Sequence, residues 1–261
     1  MISFNYLGNL GHLGNQMFQY AAIKGIASKH GYEWCIPPLE VIGRQYNTLS
    51  NIHNCFKLQS CKNFNILKTS SVSESSFDYF DKGLFDSCSD DVNLHGYFQS
   101  EKYFKHIEDD LRKDFTFIDE IYIPTKEMFD SFFGDKEVIS LHIRRGDYVG
   151  NQNHPLQTTE YYETALKFFD NDIPVMVFSD DIEWCKKQTI FSGDRFIFSE
   201  DNDAGTDLML QSLCKYHIIA NSSFSWWGSW LAKSKKVIAP KKWLGRDVYL
   251  KDLYCKDWIV L

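Results

Sequence analysis

The second half of the chain alternates short apolar runs with stretches of helical spacing, and this alternation narrows the fold more than any other feature. VISLHI (138–143), PVMVFSDD (174–181), RFIFSE (195–200), HIIA (217–220) and KKVIAP (235–240) read as strands. TTEYYETALKFF (158–169), DIEWCKKQ (181–188), GTDLMLQSLCKY (205–216) and the stretch ending at 232 read as helices between them. Strands separated by helices of this length form a parallel sheet covered on both sides. The first half opens with a similar unit: a strand in ISFNYL (2–7), a glycine-spaced turn in GNLGHLG (8–14), a helix from 15 and a strand in YEWCIP (32–37). In that helix Met17, Tyr20, Ala21 and Lys24 recur at helical spacing, and Gly31 is its stop. Residues 38–99 read as loops with short elements, KYFKHIEDDLRKDF (102–115) as a helix, and 121–136 as the passage into a second unit. The expected fold class is α/β, with two Rossmann-like lobes over 1–125 and 126–261.

Composition removes several function classes. A net charge of −7 argues against nucleic-acid binding, which calls for a basic face. The seven cysteines form no CxxC pair and no zinc spacing with histidine, as expected of reduced thiols. The opening MISFNYLGNLG lacks the charged lead and apolar stretch of a signal peptide. No apolar run reaches the roughly 18 residues of a membrane span. The expected location is the cytoplasm, with peripheral association at the inner membrane face left open.

Ligands of parallel sheets sit outside the carboxyl ends of the strands. That rule gathers His142 to Asp147, Ser179–Asp180–Asp181, Glu200 to Asp203 and Asn221–Ser222–Ser223 onto one rim. Adjacent arginines, Arg144 and Arg145, repel and are costly to desolvate, so their place at the end of a buried strand points to an arriving anion. The helix start at Asn221, Ser222 and Ser223 offers backbone N–H groups and hydroxyls suited to phosphate oxygens. Arg144 adds a bidentate partner. Gly8, Gly11 and Gly14 are spaced GxxGxxG, which is not the dinucleotide fingerprint. Neither a phosphate-loop GxxxxGK[ST] nor GxSxG occurs. Asp201–Asn202–Asp203 forms a DxD that can hold a divalent metal against a nucleotide diphosphate, or can simply cap the next helix. Phe224, Trp226, Trp227 and Trp230 can form a sugar-binding surface, but their helical spacing equally marks a buried stripe.

LGNQMFQYA (13–21), LHIRRGDYV (141–149), VFSDD (177–181), DLMLQSLCKYHIIANSSFSWWGSWLA (207–232) and VIAPKKW (237–243) together resemble glycosyltransferase family 11, the α-1,2-fucosyltransferases. The resemblance implies a GT-B-like fold with a cleft between two lobes, the acceptor on the first lobe and the donor on the second. It implies inverting transfer of L-fucose from GDP-fucose to the 2-hydroxyl of a terminal galactoside, as in polysaccharide or O-antigen synthesis, with no metal and no cofactor beyond the donor substrate. Arg144 would bind the diphosphate, with Arg145 beside it and His142 and Asp147 shaping the pocket. Ser222 and Ser223, with Asn221 and Phe224, would lie at the phosphates, and Ser179 and Asp180 near the nucleoside. Asn15 and Gln16 would face the cleft. Asp147 is the candidate base, with His12 an outsider; the alternative role for Asp147, and the one favoured, is to hold Arg144 or Arg145 in place. His12 also replaces a glycine of the family pattern. A metal-dependent transferase using Asp201 and Asp203, and a non-catalytic carbohydrate- or nucleotide-binding module, are the competing readings.

Overall fold

The computed structural model describes residues 1–39, 51–58, 70–246 and 250–261 in full and residues 62–63 as backbone. The chain divides into two compact units, Met1–Ile118 with Leu250–Cys255 and Asp119–Tyr249 with Lys256–Leu261.

The first unit is built on a five-stranded parallel sheet of β1 (Ile2–Ser3), β2 (Trp34–Ile36), β3 (Lys62–Asn63), β4 (Ser70–Ser73) and β5 (Val92–His95), in the order β3-β2-β1-β5-β4. β1 is shorter than the apolar run predicts. The Asn5 N–H donates to Asn93 Oδ1 at 2.7 Å and Leu7 N–H turns back to the Phe4 carbonyl, so the chain leaves the sheet after Ser3. Gly8 and Gly11 take φ of +90° and +94° in the turn that follows, a region that other residues rarely enter. Helix α1 (Leu13–His30) then runs through the core and ends at Gly31 in the left-handed conformation. Its burial leaves no room for bulk at Gly25, where a Cβ would lie 2.0 Å from the Tyr103 carbonyl oxygen.

β4 and β5 occupy the stretch read as loops with short elements, beside the short helices α2 (Ile52–Cys55) and α3 (Lys82–Ser87). The part of that reading on residues 40–50, 59–61 and 64–69 lies outside the described residues. Residues 102–115 are not one helix. Two 3-10 turns, Glu101–Tyr103 and Lys105–Ile107, precede α4 (Glu108–Asp114). Phe104, buried with Tyr103, takes φ −137° and ψ +3° between the two turns, which lies outside the α-helical region and breaks the run. Asp114, buried at the end of α4, accepts from Tyr20 Oη at 2.8 Å and Lys24 Nζ at 2.5 Å, which satisfies the charge.

The second unit begins with helix α5 (Asp119–Phe133), so the break between the units falls just ahead of that helix. Its six-stranded parallel sheet comprises β6 (Ile139–Ile143), β7 (Val175–Ser179), β8 (Phe196–Phe198), β9 (Tyr216–Ile218), β10 (Lys236–Ala239) and β11 (Ile259–Val260), in the order β11-β10-β9-β6-β7-β8. Strand alternation sends Ile139, Leu141 and Ile143 to one face, where they pack with Val175, Val177 and helices α6 (Thr159–Leu166) and α7 (Ile182–Lys186). Met176 and Phe178 face the other way, against Phe129 and Phe133 of α5 and Leu210 of α8 (Ala204–Leu213). Helix α9 (Ser223–Leu231) follows β9. Trp226 and Trp227 are fully buried and Trp230 nearly so. The tryptophans of α9 are therefore core, not a sugar-binding surface. Among the described residues no helix is long and apolar enough to cross a membrane.

Candidate active site

The order of the second sheet contains one reversal. From β6 the chain moves outward through β7 to β8, then returns to the other side of β6 and moves outward again through β9, β10 and β11. Loops diverge at such a point and leave a crevice at the carboxyl ends of the two strands. Arg144 follows β6 and Asn221–Ser223 follow β9, so the two elements expected from the sequence to meet an anion flank this reversal. Tyr148 joins them. Its hydroxyl donates to the Asn221 carbonyl at 3.1 Å, and its ring lies 5.5 Å from the Arg144 guanidinium. Burial pushes the Tyr148 hydroxyl up to about 12, so it stays protonated and remains a donor.

The two arginines have different surroundings. Arg144 Nη2 donates to Asp147 Oδ1 at 2.6 Å, and its Nη1 lies 3.1 Å from Asp180 Oδ2. Arg145 points its Nε at Asp181 Oδ2, 3.0 Å away, and stacks on Trp184 at 3.9 Å. Its backbone N–H donates to Asp180 Oδ1 at 2.8 Å. Asp180 thus connects both arginines to the end of β7. Gly146 makes this approach practicable, since a Cβ there would sit 2.4 Å from Asp180 Oδ2. Ser179 Oγ accepts from the Asp181 N–H at 3.0 Å and tightens the same turn.

His142 lies on the face of β6 turned toward α9. Its Nδ1 is 2.9 Å from Ser225 Oγ, and its ring is 5.7 Å from that of Phe224. Burial, reinforced by the Arg144 charge, holds the imidazole down to about 3. It is a neutral dipole at physiological pH, so the cationic part of the site is Arg144.

Ser222 caps α9, accepting from the Phe224 N–H at 3.3 Å. Ser223 is the first helical residue, and the leading N–H groups of a helix have no partner within it. Asn221 has a different task. Its Nδ2 donates to the carbonyls of Pro155 and Trp243, both at 3.0 Å, bolting the loop after β6 to the segment after β10. In the first unit, Asn15 Oδ1 accepts from Gln99 Nε2 at 2.9 Å, and Gln16 Oε1 accepts from the Ile52 N–H at 3.2 Å. His12, at the N-cap of α1, is exposed and makes no side-chain cap.

Asp203 of the DxD caps α8, its Oδ1 accepting from the Thr206 N–H at 2.8 Å. Asn202 donates to Ser199 Oγ at 2.9 Å. Among the described residues, no group of three or more His, Cys, Asp or Glu side chains converges as metal ligands would. Sequence reading missed Tyr148, Trp184 and Ser225 as parts of the site. Tyr148 lies within LHIRRGDYV, but nothing in its spacing marks a hydroxyl aimed at the segment after the neighbouring strand β9.

The model of glycosyl transferase family 11 matches residues 3–261. An alpha-1,2-colitosyltransferase of Escherichia coli is 38% identical over 269 residues, covering 91% of each chain. The galactoside 2-alpha-L-fucosyltransferase SEC1 of Bos taurus is 25% identical over 248 residues, covering 87% of this chain and 64% of that protein. Among solved structures, the fucosyltransferase NodZ from Bradyrhizobium aligns with a TM-score of 0.60 at 12% identity, covering 90% of this chain and 94% of that one. That likeness concerns the fold, which is GT-B-like with two Rossmann-like units. The match of the family model along nearly the whole sequence and the relative 38% identical over 91% of both chains lead to one statement: this chain belongs to glycosyl transferase family 11.

Proposed function

We propose that the protein transfers L-fucose from GDP-fucose to the 2-hydroxyl of a terminal galactoside, with inversion and without a metal, the donor held by the second unit and the acceptor by the first. The observation that carries this reading is the placement of Arg144 and the start of α9 on either side of the strand-order reversal. As the bond to fucose breaks, negative charge builds on the β-phosphate oxygen and the sugar becomes cation-like. Donors already positioned where that charge develops are the largest catalytic contribution in many enzymes. Arg144 offers a planar fork that fits two phosphate oxygens, and the Ser222–Ser223 helix start adds backbone N–H groups. Neutral His142 beneath them avoids a further buried charge.

Donor binding then requires an exchange. Arg144 is held by Asp147 and Asp180, and a diphosphate takes it over from these carboxylates. Asp147, with 60% of its side chain exposed, is thereby released to accept the proton of the acceptor hydroxyl. Asp180 keeps its bond to the Arg145 N–H and stays in place near the nucleoside. Arg145, Ser179, Asn221 and Phe224 support the donor pocket, while Asn15 and Gln16 serve the first unit.

A second donor is favoured by one finding, the alpha-1,2-colitosyltransferase related along 91% of both chains. Colitose is fucose without its 3-hydroxyl, and the diphosphate clamp described here is blind to that group. Incubating the purified chain with GDP-fucose or GDP-colitose and a panel of β-galactosides, with the product linkage determined, tests both readings. An α-1,2-linked product from GDP-fucose supports the first, and product from GDP-colitose alone replaces it with the second. No transfer from either donor refutes the proposal.

A further inference from the structure

The first unit has its own reversal of strand order, between β1 and β5. From β1 the chain moves outward to β2 and β3, while β5 lies on the other side of β1 with β4 beyond it. The carboxyl ends of β1, β5 and β4 therefore line one stretch of rim, where ligands of such sheets lodge. These three ends deliver aromatic rings to the rim: Tyr6 after β1, His95 and Tyr97 at and beyond the end of β5, and Phe77 and Tyr79 after β4. Tyr6 meets His95 edge to face at 5.0 Å, and Phe77 meets Tyr97 at 6.2 Å. Tyr6, Phe77, Tyr79 and Tyr97 are 41%, 45%, 47% and 36% exposed, in a chain whose other rings mostly fill the core.

The rim is also stiff. Glu74 accepts from the Tyr97 N–H at 2.5 Å and from the Phe98 N–H at 3.1 Å. Gln19 Nε2 donates to the Gly96 carbonyl at 3.3 Å, and Asn15 holds Gln99. A Cβ at Gly96 would lie 2.6 Å from the Glu74 carboxylate. The loop bearing Tyr97 is thus fixed from three directions, and a preordered surface loses little entropy when it binds.

The chemistry selects the ligand. Residues 4–12, 74–81 and 96–99 contain no lysine or arginine, so nothing there neutralises a phosphate. Rings with hydroxyls at their edges match a ligand that has an apolar face and a polar perimeter. A pyranose is such a ligand. We propose that this rim binds a hexopyranose ring of the acceptor glycan, with the C3–H, C4–H and C5–H face of a galactose on the aromatic rings. The inference rests on the galactoside-transferase reading above and adds the place and the manner in which the acceptor is held.

Saturation-transfer NMR of methyl β-D-galactopyranoside with the full chain, without donor, tests it. Contact strongest at H3, H4 and H5 is expected. It falls at least fivefold in Tyr6→Ala/Tyr97→Ala and persists in Tyr6→Phe/Tyr97→Phe, with GDP affinity and circular dichroism of both variants unchanged. No contact in the parent chain, or contact that survives in the alanine pair, overturns the inference. A chain that shows this contact yet transfers from neither GDP-sugar keeps the platform and loses the transferase reading.

Discussion

Arg144 and Asp180 form an ion pair of 3.1 Å across the carboxyl ends of adjacent strands, so the guanidinium proposed to receive the donor is already aligned by the protein's own carboxylate. Replacing it with lysine keeps the charge but removes the planar fork. Arg144→Lys is expected to lower kcat/KM by about 10²–10³ and to weaken GDP binding, with the melting temperature little changed. Titration calorimetry with GDP and initial rates check this. Near-parent turnover refutes the donor role.

Arg145 makes a contrasting case. Its stacking on Trp184 and its bond to Asp181 tie the loop to α7, which makes its contribution chiefly one of stability. Arg145→Lys is expected to cost about 1–2 kcal/mol in urea unfolding, with kcat within a few-fold of the parent. A loss of activity equal to that of Arg144→Lys contradicts this division.

Gly146 tests whether the position of Asp180 matters to activity. A methyl group there meets the Asp180 carboxylate and must displace it, dragging Arg144 along. Gly146→Ala is expected to reduce kcat/KM at least tenfold while leaving the protein folded by circular dichroism. Parent-like activity shows that the site tolerates a displaced Asp180.

Two buried histidines set a pH dependence of stability. Their ordinary value is 6.5, and burial holds His142 down to about 3 and His217 to about 4. Below pH 6.5 the unfolded chain takes up protons that the folded chain refuses. The contribution of each ring is therefore full above pH 6.5 and falls on acidification by about 1.4 kcal/mol per pH unit, against an opposite slope from Glu74 and Asp207, which burial pushes up to about 7. Urea unfolding of the parent and of His217→Gln between pH 7 and pH 5 isolates one ring, the variant being expected to lose about 1.4 kcal/mol less per pH unit of acidification than the parent. An unchanged slope rejects the assignment.

The cap at Asp203 separates a structural role from a metal-binding one. Asp203→Ala is expected to cost about 1 kcal/mol of stability through loss of the helix cap, and transfer by the parent chain is expected to survive EDTA. Activity abolished by EDTA and restored by a divalent cation revives the metal-dependent reading.

Much of the second unit is legible because its strands are long enough to show a pattern. VISLHI and VMVFS are five- to six-residue apolar runs flanked by helices of clear spacing, and the polar residues at their ends form the site. β5 shows the opposite case. VNLH is four residues between an acidic stretch and a glycine, yet it lies next to β1 in the first sheet. Asn93 takes a place usually held by an apolar residue because it accepts from the Asn5 backbone and the Ser3 hydroxyl, a tertiary bond that local periodicity cannot register. The same holds for Arg144 and Arg145. Their adjacency is plain in the sequence, but their different partners come from β7 and α7, more than thirty residues away. The aromatic rim is hidden in the sequence for a similar reason, since Tyr6 meets His95, and Phe77 meets Tyr97, only through the sheet order.

The return of Leu250–Cys255 to the first unit makes that unit dependent on two distant stretches of the chain. Asp252 accepts from Lys102 Nζ and from the Phe80 N–H, and its carbonyl accepts from Ser100 Oγ. A fragment stopped at Ile118 lacks all three, and the complementary fragment carries a strap with nothing to fasten. Recombination between relatives at that single junction would therefore separate Asp252 from the residues it binds, so chimaeras that keep both halves whole need crossovers on either side of the strap as well.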